Sequence, residues 1–104
     1  MDVWGTRRGM IEMVNFEWDP SKARQNRRKH GVSFQEAASV FGDPLALTYP
    51  DPDHSIMEQR FITVGMSSAR RVLMVAHLDR EANIRIISAR KTTPQERKYY
   101  EEEN

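Results

Sequence analysis

The sequence predicts one α+β domain: an antiparallel sheet of about four to five strands, two N-terminal helices packed on it and a short C-terminal helix, in the order β-α-α-β-β-β-β-α. Helix-start signals stand at Asp19-Pro20, at Ser33 and at Thr93-Pro94. Beyond Gly42 the apolar residues change from helical spacing to alternation. The gaps between the later strands are of hairpin length, which makes neighbours antiparallel and leaves the helices to cover a face of the sheet.

Residues 14–18 alternate and read as a short strand with Val14, Phe16 and Trp18 on one side. Asp19 as N-cap and Pro20 at the first helical position open a helix that runs to about His30 and stops at Gly31. That helix is polar, and its inward side (Ala23, Asn26, Arg27, His30) is thin. Ser33-Phe34-Gln35-Glu36 is a capping box, in which Ser33 and Glu36 satisfy each other's backbone N–H groups. The helix it opens buries Phe34, Ala37, Ala38, Val40 and Phe41 and ends at Gly42.

Strands follow over residues 45–49, 60–66, 72–78 and 83–90. The run 72–78 is apolar on both faces and belongs in the middle of the sheet. In the last strand Ile84, Ile86 and Ser88 share one side, and Arg85, Ile87 and Ala89 the other. Thr93-Pro94-Gln95-Glu96 is a second capping box, opening a helix through Tyr99 and Tyr100. Residues 1–13, with Met10 and Met13 as alternative starts, read as a disordered leader ahead of a single domain over 14–104.

A chain of 104 residues is long enough for one core without staples. The absence of cysteine excludes a disulfide framework, a thiolate metal site and a Cys nucleophile, and it fits a reducing cytoplasm. No apolar run approaches the ~18 residues of a membrane span, and the charged N-terminus is followed by no apolar stretch of signal-peptide type. The net charge of +1 conceals segregation. Bases cluster before His30 and again from Arg70 to Lys98, while residues 31–66 carry Arg60 alone against Glu36, Asp43, Asp51, Asp53 and Glu58. Two basic segments can hold a local field for a polyanion, or can serve only to solvate a small protein.

No glycine-rich phosphate loop and no pair of histidines at metal-ligand spacing is present, so no cofactor or metal is expected; Asp51, Asp53 and His54 crowd a Pro-rich turn in which neighbours point apart. The same turn, with Glu58 and Arg60, brings an imidazole, a carboxylate and a guanidinium close in sequence. Cleaving RNA without a metal needs the 2′-OH deprotonated, the leaving 5′-oxygen protonated and the phosphorane stabilised. His54 and Glu58 suit the proton transfers, and Arg60 and Arg90 the charge. Each has a structural alternative: a solvated turn histidine, a Glu58–Arg60 surface pair, or Arg85 and Arg90 paired with local acids. Arg85, Lys91, Arg70 and Arg71 are the candidate RNA-binding bases. His77, inside the most apolar strand, reads as a core histidine, and His30 as a cation favoured at a helix C-terminus. Tyr99 and Tyr100 are able to stack bases, although packing of the last helix accounts for at least one of them.

Taken together, Phe16-Glu17-Trp18-Asp19-Pro20, Lys29-His30-Gly31-Val32-Ser33-Phe34, Asp51-Pro52-Asp53-His54-Ser55, Glu58-Gln59-Arg60 and Arg85-Ile86-Ile87-Ser88-Ala89-Arg90-Lys91 before Glu96-Arg97 resemble the BrnT family over residues 14–100. The resemblance implies a RelE-like fold and a ribonuclease toxin that inhibits translation. It also implies neutralisation by a DNA-binding antitoxin of ribbon-helix-helix, BrnA-like type in a heteromeric complex. The alternative is a non-catalytic nucleic-acid-binding or co-repressor subunit that acts only through such a complex.

Overall fold

The computed structural model describes residues 14–53, 59–80 and 82–103. Its elements are β1 (Asn15–Glu17), α1 (Pro20–His30), α2 (Phe34–Ser39) continued by a 3-10 turn (Val40–Gly42), β2 (Leu47–Pro50), β3 (Arg60–Met66), β4 (Val72–Arg80), β5 (Asn83–Lys91) and α3 (Pro94–Glu102). Class and element order are those the sequence predicts; the expected leader lies outside the described residues. No helix among the described residues is long and apolar enough to cross a membrane.

The five strands form one sheet in the order β1-β5-β4-β3-β2. The three hairpin-linked pairs are antiparallel. β1 runs parallel to β5, so the sheet is mixed rather than wholly antiparallel. Two helices separate β1 from β2, so no tight turn imposes an antiparallel partner on it.

Local signals set α1. The Asp19 carboxylate accepts the Ser21 N–H at 2.7 Å. At the other end Gly31 takes φ 70, and its N–H reaches the Arg27 carbonyl at 2.8 Å. That left-handed position suits glycine and strains other residues. The helix has one buried residue, Asn26. Its amide donates to the carbonyls of Val32 at 3.0 Å and Ala89 at 2.8 Å and accepts the Ala89 N–H at 3.1 Å. β1 pairs only with residues 83–85, so the outer edge of β5 at Ala89 has no strand beside it. Asn26 supplies a strand's donor and acceptor there, and a polar anchor is tolerated because its groups are satisfied.

α2 is shorter than its pattern predicts, because Val40–Gly42 tightens into a 3-10 turn pressed on Gly65 of β3. A Cβ on Gly65 would lie 2.9 Å from both the Ala46 Cβ and the Val40 Cγ1. Its capping box forms only in part. Ser33 Oγ accepts the Glu36 N–H at 3.0 Å, but the Glu36 carboxylate turns to Arg71 Nε at 2.9 Å, Arg71 Nη2 and Ser67 Oγ at 2.7 Å. A guanidinium offering two charge-assisted bonds outcompetes one backbone N–H.

One core lies between α1, α2 and the sheet, where Val32, Phe34, Ala37 and Val40 meet Leu73, Val75, Ile86 and Ala89. Each large side chain so buried contributes about 1.5–3 kcal/mol, and Trp18 closes the margin edge-on to Phe34 at 5.9 Å. α3 packs on the opposite face, so the helices are not all on one side. There Tyr100 covers Val64 and Val72 with Leu47, Met66 and Met74 around them. β4 is apolar on both faces, and the second face also needs a cover. The Tyr100 hydroxyl donates to Asp43 Oδ2 at 2.5 Å, beside the Met66 N–H at 2.8 Å. Burial and this carboxylate push the Tyr100 phenol up to about 12.

Candidate active site

α3 shields one end of its face and leaves the rest as a groove of about 380 Å³. β3 lines it with Arg60 and Ile62, β4 with Met74 and Ala76, and β5 with Ile87, Ser88, Ala89 and Arg90. Asp51 and Asp53, which follow β2, and His30, the last residue of α1, complete the lining.

Arg90 faces this groove because β5 is irregular. His77 pairs with Ile86 and Ala76 with Ser88, which leaves Ile87 as an extra residue. Strict alternation would place Arg90 with Ile84 and Ile86 on the helix-covered face. The bulge shifts the phase, so Ala89 pairs with Val75 and joins the core, while Ser88 and Arg90 pair with Ala76 and Met74 on the groove face. The expected grouping of Ser88 with Ile86, and of Ala89 with Arg85, is corrected by this one residue.

The Arg90 guanidinium makes four hydrogen bonds to three residues. Nη1 and Nη2 each reach a Glu96 oxygen at 2.9 Å, Nη1 also meets the Lys91 carbonyl at 3.1 Å, and Nη2 meets Met74 Sδ at 3.1 Å. Glu96 also closes the second capping box, accepting the Thr93 N–H at 2.9 Å. The Arg90 bonds, with those from Thr93, overcome burial and hold the Glu96 carboxyl down at about 2. Arg90 is raised in turn, chiefly by Glu96. An incoming phosphate oxygen can take the remaining Nε–H or displace the thioether, a weak acceptor.

Arg60 is the first residue of β3, and its carbonyl accepts the Asp51 N–H at 2.9 Å, which ties the acidic turn to the groove. Asp51 Oδ1 in turn accepts the Asp53 N–H at 3.0 Å. Arg60 and Arg90 are thus brought to one groove. His54 and Glu58 lie outside the described residues, although Asp53 and Arg60, on either side of that segment, both line the groove.

The other candidate bases do not line the groove. Arg85 lies opposite Leu78, as Arg60 does, and so shares the groove's face of the sheet, but it pairs with Glu17 of β1 at 3.2 Å outside the lining. Arg71 is clamped by Glu36, and Arg70 takes φ 63 in the β3–β4 turn. Both join Lys91, Thr92 and Arg97 around a separate depression of about 250 Å³. His77 is a core residue, 1 % exposed, with Nε2 at 2.8 Å from Thr63 Oγ1 and Nδ1 at 2.7 Å from Asp79 Oδ1. Burial lowers its pKa against the opposing pull of Asp79.

His30 is the groove residue that its sequence context hides. A histidine just before a helix-ending glycine reads as a dipole partner, and only the short β1, which leaves the β5 edge open, lets it reach the groove. Among the described residues no group of three or more His, Asp or Glu is placed to hold a metal.

Comparison with known proteins adds two findings. Residues 18–96 match the family model described as the ribonuclease toxin BrnT of type II toxin–antitoxin systems. The fold is similar to the crystal structure of the Brucella abortus ribonuclease toxin BrnT, with a TM-score of 0.61 and 19 % identity, covering 77 % of this chain and 97 % of that one. No curated protein matches the chain.

Proposed function

The chain belongs to the BrnT family of ribonuclease toxins from type II toxin–antitoxin systems, and from that premise we propose that it is an endoribonuclease that cuts RNA without a metal in the Arg60–Arg90 groove. Cutting messenger RNA would stop translation, and an antitoxin of DNA-binding type would neutralise the toxin by covering it. The observation that carries the site is the placing of Arg60 and Arg90 in one groove with a histidine at its edge.

The reaction suits these groups. The substrate's 2′-oxygen attacks the adjacent phosphorus, the bond from phosphorus to the 5′-oxygen breaks, and a 2′,3′-cyclic phosphate and a 5′-OH result. Arg60 and Arg90 would neutralise the charge that builds on the non-bridging oxygens. Proton transfer from the 2′-OH and to the 5′-oxygen falls to His30, His54 or Glu58. Incubating the purified protein with messenger RNA in EDTA tests this: cleavage to cyclic-phosphate ends is expected, and intact RNA both with and without ribosomes would refute it.

A second reading rests on the Arg90–Glu96 pair, which also braces α3 against the sheet as an ordinary structural contact would. On that reading the chain acts only through its antitoxin complex. Growth arrest when the chain is expressed alone, lost in Arg60→Ala with the fold intact, decides against it.

A further inference from the structure

Beside the groove, on the far side of the Arg90–Glu96 pair, lies a second depression of about 350 Å³. Tyr49 from β2 and Tyr99 from α3 line it, Val64 and Met74 are its apolar residues, and Thr93 and Gln95 bring polar groups from the start of α3. Met74 lines both depressions, and the ion pair stands between them, with Arg90 in one lining and Glu96 in the other. The two spaces are therefore neighbours that share Met74 as a wall.

The tyrosines are exposed in a way the fold does not require. Tyr99 is 55 % and Tyr49 37 % exposed, whereas their neighbour Tyr100 is 5 % exposed and bonded to Asp43. Neither exposed ring stacks on another aromatic ring among the described residues. Tyr49 and Tyr99 come from separate elements and line one space. Two π-faces, an apolar floor and polar groups at the margin match a planar, amphipathic group such as a nucleobase. A guanidinium one step away matches the phosphate attached to it.

We propose that Tyr49 and Tyr99 form a nucleobase subsite, which holds a base of the RNA strand whose phosphate lies against Arg90. This rests on the reading of the groove as an RNA site and extends it, because it assigns base contacts to a surface that the cleavage chemistry does not use. Stacking is tolerant of base identity; Thr93 and Gln95 are the groups able to read a base edge.

The test uses the full chain and short single-stranded RNAs made 2′-O-methyl throughout, so that they cannot be cleaved, each carrying 2-aminopurine at one position. The wild-type protein is expected to bind and to quench the fluorophore at one position. Tyr99→Ala and Tyr49→Ala should each weaken binding by about tenfold and abolish the quenching. Tyr99→Phe, which keeps the ring, should retain both, and the melting temperature of Tyr99→Ala should stay near wild type. Wild-type binding that neither alanine variant weakens would overturn the subsite and leave the groove standing. No wild-type binding at all would overturn both. Unchanged RNA binding with weakened capture of the antitoxin would give the tyrosines to a protein partner and likewise overturn the proposal.

Discussion

Glu96 receives both terminal nitrogens of Arg90 at 2.9 Å while it caps its own helix through the Thr93 N–H. One carboxylate thereby fixes the start of α3 and the guanidinium of the groove. Its folded pKa of about 2 lies below that of an unfolded glutamate, near 4.3. The stability it contributes is therefore complete above about pH 4.5 and lost as pH falls toward 2. Thermal melts across that range should show Glu96→Gln less stable than wild type by about 1 kcal/mol at neutral pH, allowing for solvent screening of a part-exposed pair. The gap should close between pH 4.5 and 2. A gap that does not change with pH would contradict this.

Asn26 stands in for a missing strand residue at Ala89. Asn26→Ala strands the Ala89 N–H and carbonyl and the Val32 carbonyl, with an expected loss of roughly 2–4 kcal/mol. Asn26→Asp should be at least as damaging, because two donors would be replaced by an acceptor facing carbonyls. Denaturant melts measure both, and a near-neutral Asn26→Asp would refute the assignment.

Gly65 is where the 3-10 turn presses on the sheet. Gly65→Ala places a methyl 2.9 Å from Ala46 Cβ and Val40 Cγ1 and should cost about 1–3 kcal/mol. A melting temperature equal to wild type would show that the turn yields freely.

His30 lines the groove from the end of α1. If it carries a proton in cleavage, His30→Ala should lower kcat by about a hundredfold or more and remove one limb of the pH–rate profile. The loss of its interaction with the helix dipole should cost no more than about 1 kcal/mol. A profile of unchanged shape would return proton transfer to His54 and Glu58.

The elements set by adjacent residues were legible. Asp19-Pro20 and Gly31 bound α1 as Pro20–His30, and the alternation of Arg60–Met66 marks β3 with no correction. What depends on distant partners was not. Nothing near Glu36 announces that Arg71 will draw its carboxylate out of the cap. The parallel place of β1, and α3 on the second face, follow from which surfaces remain uncovered once the hairpins form. The groove shows the same division. Arg60 and Arg90 stand out as bases at strand ends, but their common face depends on the bulge at Ile87. That residue looks like any other in the run Ile86-Ile87.

RNA cleavage in the groove that Arg60 and Arg90 share is tested most directly by the cleavage rate of one RNA in EDTA by the wild type and by Arg60→Ala, Arg90→Lys and Arg85→Ala, each shown to be folded by its melt. Losses of about a hundredfold or more are expected for the two groove variants, with near wild-type cleavage for Arg85→Ala, whose side chain is engaged with Glu17. Full activity in the groove variants, or an equal loss in Arg85→Ala, would contradict cleavage in this groove.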